Sequence, residues 1–185
     1  MIWWPRETPN LYYGEITLRR ANERDIVPIF TACQDPIIPK FTTVPSPYLM
    51  AHAEDFIRDI APRSFAEKSE MLFAIVFGKG DEEQFCGLIS FHTTSLANHT
   101  TELGYWLAKE SRGKGIGKTA IALLTEYGIG TMGFRRIEAL VDVDNVASKA
   151  LLTSVGYNLD GILRNRVTRR DGVQIDMALF SKISD

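Results

Sequence analysis

The segment Arg112-Gly113-Lys114-Gly115-Ile116-Gly117-Lys118-Thr119 constrains this chain more than any other. It lies between an apolar, aromatic run ending at Leu107 and an amphipathic pattern that continues to about Gly130, so it joins a strand to a helix. Glycine accepts positive φ without penalty and lets the backbone approach a ligand closely. A helix that starts in such a loop presents unpaired N–H groups and the positive end of its dipole, the ingredients of a phosphate site. The charge pattern agrees. Between positions 109 and 118 the cations Lys109, Arg112, Lys114 and Lys118 are opposed only by Glu110, whereas the whole chain has 21 Lys and Arg against 23 Asp and Glu and a formal charge of -2.

Spacing separates the phosphate loops that could account for this segment. A P-loop ending at Gly117-Lys118-Thr119 requires glycine where the chain has Arg112. A dinucleotide fingerprint starting at Gly113 and Gly115 requires glycine where the chain has Lys118, and the repeated βαβ context is missing. The pattern Arg/Gln-x-x-Gly-x-Gly/Ala is met by Arg112, Gly115 and Gly117.

Hydrophobic periodicity supplies the frame around the loop. Residues 16–20 read as a strand, and Asn22, Asp25, Ile26, Ile29 and Phe30 as a capped amphipathic helix. Pro36, Pro39, Pro45 and Pro47 make residues 35–47 a loop, followed by a helix over 48–60. The runs 71–77 and 85–92, separated by Gly78-Lys79-Gly80-Asp81-Glu82, predict a hairpin, with another strand at 101–107. A helix over 115–130, a strand at 137–142 and a helix over 146–155 follow. Two tail strands, one from Tyr157 and one ending at Phe180, turn at Asp171-Gly172. The expected fold is α+β: a mixed, mostly antiparallel sheet of about six or seven strands flanked by helices. A chain of 185 residues with 45% hydrophobic content suits one domain spanning 1–185.

Three further motifs accompany the glycine loop: Gly104-Tyr105-Trp106 before it, and Asn145-x-x-Ser148 and Gly156-Tyr157 after it. Together they resemble the GCN5-related N-acetyltransferase superfamily, in the branch similar to enzymes that acetylate the N-termini of ribosomal proteins. Ordered matches run from about residue 14 to 183 and are weakest over 34–70.

The resemblance implies acetyl-CoA as cosubstrate, its pyrophosphate held by Arg112, Gly113, Lys114, Gly115, Ile116, Gly117 and Lys118, with Asn145 contributing. The pantetheine arm is expected between splayed strands 101–107 and 137–142, where backbone N–H near Trp106 and Leu107 would polarise the carbonyl. Glu102 is the candidate to take the amine's proton, directly or through water, unless it is an exposed strand carboxylate. Ser148 is the candidate to protonate or hydrogen-bond the departing sulfur, with Tyr157 as a substitute. Asn145 and Ser148 serve equally as N-cap and first-turn residue of a helix, and Tyr157 equally as a core aromatic.

The implied reaction is direct acetyl transfer to a primary amine, most naturally the N-terminal α-amine of a protein such as a ribosomal protein. The alternatives are a small amine (polyamine, amino acid or amino-sugar antibiotic) and a non-catalytic acyl-CoA-binding module on the same fold. Cys33 and Cys86 form no C-x-x-C pair, which points to structural thiols in a reducing, cytoplasmic setting. His52, His92 and His99 are isolated and lack ligand spacing, so no metal is expected, and the three are assigned to strand or surface. No apolar run approaches about 18 residues and the start lacks the order of a signal peptide, so a soluble, unprocessed chain is expected. The balanced charge gives no general reason to expect nucleic acid or an anionic membrane as partner. Arg164, Arg166, Arg169 and Arg170 either grip an acidic partner or lie on a solvated strand. Trp3, Trp4 and the Pro-rich loop either line the acceptor groove or cover the core. Exposed edge strands would permit a homodimer.

Overall fold

The computed structural model describes residues 2–184, Asp81 through its backbone only, so residues 1 and 185 of the expected domain lie outside the described residues. The helices are α1 (Ile26–Ala32), α2 (Ile37–Phe41), α3 (Met50–Asp55), α4 (Ala61–Ala66), α5 (Ile116–Glu126) and α6 (Val146–Ser154). The strands are β1 (Leu11–Tyr13), β2 (Ile16–Arg20), β3 (Met71–Phe77), β4 (Gln84–Ser95), β5 (Thr100–Leu107), β6 (Arg136–Asp142), β7 (Asn158–Thr168) and β8 (Gln174–Ile183). They form one eight-stranded sheet in the order β1-β2-β3-β4-β5-β6-β8-β7. All neighbours are antiparallel except β5 and β6, which run parallel.

The sheet is covered on both faces, and strand alternation assigns each side chain to one of them. Phe73, Phe91, Leu103 and Ile137 pack with Ile121 and Leu124 of α5. Leu72, Ala74 and Leu88 pack on the other face with Ile26 and Ile29 of α1 and Ala53 of α3. Buried on both sides, β3 is apolar along its whole length and does not alternate. The start of the first helical turn is fixed by Asn22, whose side chain accepts from the Arg24 N–H while its own N–H donates to Asp25. Asp25 in turn takes two hydrogen bonds, at 2.8 and 2.7 Å, from the buried guanidinium of Arg19 on β2.

The structure has one strand more than the upper expectation. The addition is β1, three residues long and joined to β2 by a tight turn at Gly14, too short to register as a period. Residues 35–47 are not wholly loop, because α2 forms within them with Pro36 at its N-cap. Pro39 falls in the first turn of α2, where an N–H has no helical acceptor to lose. The helix expected over 48–60 is α3, a π turn (Phe56–Ile60) and α4 in succession. Pro62 removes the N–H that would bond the carbonyl four residues back, and the wider π turn lies immediately before it. A second π turn, Tyr127–Met132, closes the helical run after α5 and ends at left-handed Gly133.

Candidate active site

Strands β5 and β6 share only three rungs: Thr100 with Arg136, Thr101 with Ile137, and Glu102 with Glu138. Beyond them β5 stays paired with β4 as far as Leu107 opposite Gly87, and β6 with β8 as far as Asp142 opposite Met177. From Leu103 and Ala139 onward the two parallel strands therefore separate, and their facing backbone groups form no ladder. The sheet opens as a wedge with Glu102 and Glu138 at its apex and the glycine loop at its mouth. This is the splay expected between 101–107 and 137–142.

At the mouth, Gly113 and Gly115 adopt positive φ of 72° and 78°, and Gly115 is the N-cap of α5. A Cβ on either would meet no protein atom within 4 Å, so backbone conformation, not protein packing, requires glycine there. The first backbone bond of α5 is from Thr119 N–H to Gly115 C=O, 3.1 Å. Ile116, Gly117 and Lys118 therefore direct their N–H groups out of the helix end. Gly117 lets α5 close onto Leu107 and Leu151, whose methyl carbons would stand 3.0 and 3.2 Å from an added Cβ. A loop of this form, with Lys114 and Lys118 beside it, suits a pyrophosphate.

Arg112, at the head of the loop, makes contacts within the protein. Its Nε and Nη2 donate to the Leu107 carbonyl at 3.0 and 2.8 Å, and Nη1 lies 2.6 Å from Asp35 at the end of α1. Burial pushes the Asp35 carboxyl up, but the Ile37 N–H and Arg112 outweigh it and hold the group below its ordinary value. Arg112 thus fastens the end of β5 to the start of the Pro-rich segment. Trp106 points to the opposite face from Leu107, against Phe85 with ring centroids 6.0 Å apart.

On the α5 face of the wedge, Asn145 caps α6 by accepting from the Ser148 N–H at 3.1 Å. The Ser148 Oγ lies 2.6 Å from the hydroxyl of Tyr105 on β5. Burial pushes the Tyr105 phenol up to about 12, against the opposing influence of Ser148, so it stays protonated as a hydrogen-bond donor. Tyr105 was not singled out from the sequence as a site residue in its own right. Tyr157 is buried in the core, its hydroxyl 2.8 Å from Thr125, and burial raises it strongly.

On the opposite face, Glu102 is partly exposed and its carboxyl is raised, first by burial and then by Glu138, with Arg166 acting against them. His92, its register partner on β4, places Nε2 4.0 Å from the Glu102 carboxylate. Assigning His92 to strand or surface overlooked this neighbour. The signal was the hairpin register, which sets positions 92 and 102 opposite each other on one face. Glu70, ahead of β3, is raised by burial while a hydrogen bond from Ser90 opposes the shift.

The chemistry of the remaining candidates narrows. Cys33 and Cys86 are free and buried. Burial pushes Cys33 up to about 12 and raises Cys86, so neither is a thiolate nucleophile. Arg169 is paired with Asp142, and Arg170 donates to the carbonyls of Thr43 and Val44. These two arginines tie the β7–β8 hairpin to β6 and the Pro-rich loop. Trp4 packs against Phe65 at 5.6 Å and covers the core. Among the described residues no group of three or more His, Cys, Asp or Glu gathers as a metal site, and no helix is long and apolar enough to cross a membrane.

Residues 15–158 match the model of the acetyltransferase (GNAT) domain. The chain belongs to the GNAT acetyltransferase family. It is accordingly an acetyl-CoA-dependent N-acetyltransferase. The GNAT chain is 29% identical over 171 residues to an uncharacterized N-acetyltransferase, p20, of Bacillus licheniformis, covering 92% of this chain and 94% of that one. It is 30% identical over 113 residues to the ribosomal-protein-serine acetyltransferase of Escherichia coli K12, covering 61% and 63%. Among solved structures, the microcin C7 self-immunity acetyltransferase MccE, in complex with acetyl-CoA and AMP, superimposes with a TM-score of 0.81 at 25% identity over 93% of this chain and 94% of that one.

Proposed function

We propose that this enzyme, working as one domain in the cytoplasm, acetylates the N-terminal α-amine of a protein, with a ribosomal protein as the first candidate. The observation that carries the proposal is the division of groups across the wedge. Glu102 lies on one face of β5, whereas Tyr105 and Ser148 meet on the other. An amine entering from the Glu102 face finds proton-accepting groups, and sulfur on the α5 face finds a hydroxyl pair. An extended arm in the gap between β5 and β6 would rest its phosphates on the N–H groups of Gly113 to Lys118.

The roles follow from chemical need. Acetyl-CoA supplies an activated acyl group, and its attack by an amine requires no enzyme nucleophile, consistent with the two buried thiols. The proton leaves on the Glu102 face. Ser148 hydrogen-bonds the sulfur, supported by Tyr105, and backbone N–H near Trp106 and Leu107 polarises the thioester carbonyl. An α-amine titrates near 8, against about 10.4 for lysine, so a weakly basic site is sufficient for it. The likeness to the ribosomal-protein-serine acetyltransferase supports the same acceptor class.

A second acceptor class is favoured by one observation. Glu70, Glu102 and Glu138 fall on one face of the sheet, a start toward a polyamine site. Arg136 bonded to Glu138, and Arg166 near Glu102, offset that charge.

The deciding experiment is acetyl-CoA-dependent thiol release with Ser- and Ala-led peptides, N-blocked lysine peptides, spermine and amino-sugars. Release confined to free N-termini is expected. Release confined to spermine or amino-sugars moves the enzyme to the small-amine class, and tight CoA binding without release from any acceptor favours the non-catalytic module.

A further inference from the structure

We propose that His92 takes the proton from the acceptor amine, with Glu102 as the carboxylate that steadies the resulting imidazolium. The proposal rests on the reading that an amine enters the wedge from the Glu102 face. The imidazole lies across Gly104, with Nε2 2.7 Å and Cδ2 3.0 Å from the position a Cβ would occupy there. Glycine at 104 therefore makes room for the ring, and Nε2 is carried over the strand that borders the splay. The other nitrogen, Nδ1, is 3.0 Å from the hydroxyl of Thr93. If Nδ1–H donates to Thr93, Nε2 is left with its lone pair, the tautomer a proton acceptor needs. His92 and Glu102 side chains are 33% and 21% exposed, respectively, so both can be reached by an acceptor.

The surrounding charges decide which group takes the proton. Glu102 faces His92 from β5 at 4.0 Å. Glu138 and Arg136 follow on β6, Arg166 on β7 acts on Glu102, and Glu70 lies ahead of β3, its carboxyl influenced by Ser90 two residues before His92. Imidazole is intrinsically the stronger base, near 6.5 against about 4.3 for a glutamate; burial narrows that gap by lowering His92 and raising Glu102, and the placement of Nε2 over Gly104 favours the imidazole. Burial lowers His92 and so keeps it neutral and ready to accept. Glu102 remains the negative charge that draws in an ammonium and then holds an imidazolium.

The transfer balances. The acceptor, arriving as an ammonium, loses one proton to solvent and presents a neutral amine. The nitrogen lone pair forms the C–N bond, and the C–S bonding pair leaves with sulfur. His92 Nε2 takes the proton that the acetylated nitrogen must lose. Sulfur receives a proton from the Ser148–Tyr105 pair, which is restored from solvent, and His92 returns its proton to solvent.

Two measurements test this in the 185-residue chain. The first follows the three histidine imidazoles by NMR across pH, with His92 identified from the signal missing in His92→Gln. The expected result is an inflection below that of an ordinary histidine, displaced further down in Glu102→Gln, which removes the negative neighbour. An inflection that Glu102→Gln leaves in place overturns the pairing. The second is the pH profile of kcat/KM with the acceptor that releases thiol, a Ser-led peptide or spermine. His92→Gln should lower kcat/KM by about 10²- to 10⁴-fold and, apart from the limb near 8 or above that the acceptor's own ammonium contributes, abolish the lower rising limb set at the His92 inflection, while acetyl-CoA Kd stays within about twofold. Gly104→Ala, which displaces the ring and keeps every titrating group, should slow turnover and retain that limb. A His92→Gln enzyme that is folded and binds acetyl-CoA but keeps the lower limb at the His92 inflection, at whatever rate, overturns the proposal and assigns the proton to Glu102. Spermine as the acceptor would refute the N-terminal reading alone, because the profile is then read with spermine.

Discussion

Tyr105 and Ser148 are far apart in sequence, yet their oxygens stand 2.6 Å apart. The serine belongs to the first turn of α6, where Asn145 orients it by capping, and the tyrosine projects from β5 toward that turn. If the pair serves the leaving sulfur, removing either hydroxyl should slow turnover without affecting the phosphate end of the donor. Ser148→Ala and Tyr105→Phe are each expected to lower kcat by about 10- to 10²-fold with acetyl-CoA Kd unchanged by calorimetry. The double variant should be little worse than the worse single one, since partners in one network are not additive. Independent effects would mean that the two hydroxyls do not act together. Ser148 was legible because a motif carried it. Tyr105 sat inside the Gly104-Tyr105-Trp106 motif, but its partner is fixed by tertiary structure. Arg112 was legible as the head of the loop motif, whereas its hold on Asp35 and the Leu107 carbonyl depends on how the Pro-rich segment folds back.

At the level of elements, β5, the glycine loop and α5 form a unit in which each part limits the next. Glycine at 115 is set by its left-handed backbone, and the N–H groups of Ile116 to Lys118 are available because α5 starts there. Gly115→Asp separates the loop's ligand role from its role in folding. Left-handed strain costs about 1–2 kcal/mol, while an Asp at the N-cap recovers part of it by accepting from an N–H of the first turn. Melting temperature should fall by no more than roughly 2–4 °C, and CoA Kd should rise at least about tenfold, because a carboxylate then competes with phosphate for the same donors. A folded variant with unchanged CoA affinity would remove the loop from the binding site. Strands and helices with clean periods were readable, among them β5, β6, α5 and α6, and β3 was readable as an unbroken apolar run. The three-residue β1, the proline-started α2 and the π turns were not, because none has a period long enough to stand out and each depends on contacts made elsewhere in the chain.

Across the whole molecule, parallel pairing that stops after three rungs turns a continuous sheet into a wedge. The face of the sheet away from α5 also holds partly buried ionisable groups, Glu102 at the apex of the wedge and Glu70 ahead of β3, where a stability optimum would place neutral ones. Burial raises the Glu70 and Glu102 carboxyls above their ordinary values. For such groups the native state binds more protons than the unfolded chain between the two pKa values. Stability therefore falls as pH rises from the unfolded carboxylate pKa through the folded one, and the deficit stays constant above that. Below both values the penalty vanishes. Glu70→Gln and Glu102→Gln should each raise the melting temperature at pH 8 by on the order of 2 °C and leave it unchanged near pH 3, as measured by calorimetry across that range. Glu102→Gln should also cost activity, because the charge that destabilises the fold is the one that attracts an ammonium into the wedge. A Glu102→Gln protein less stable than the parent at pH 8 would show that its carboxylate is held by Arg166 as a structural ion pair, and its place in catalysis would be lost with that result.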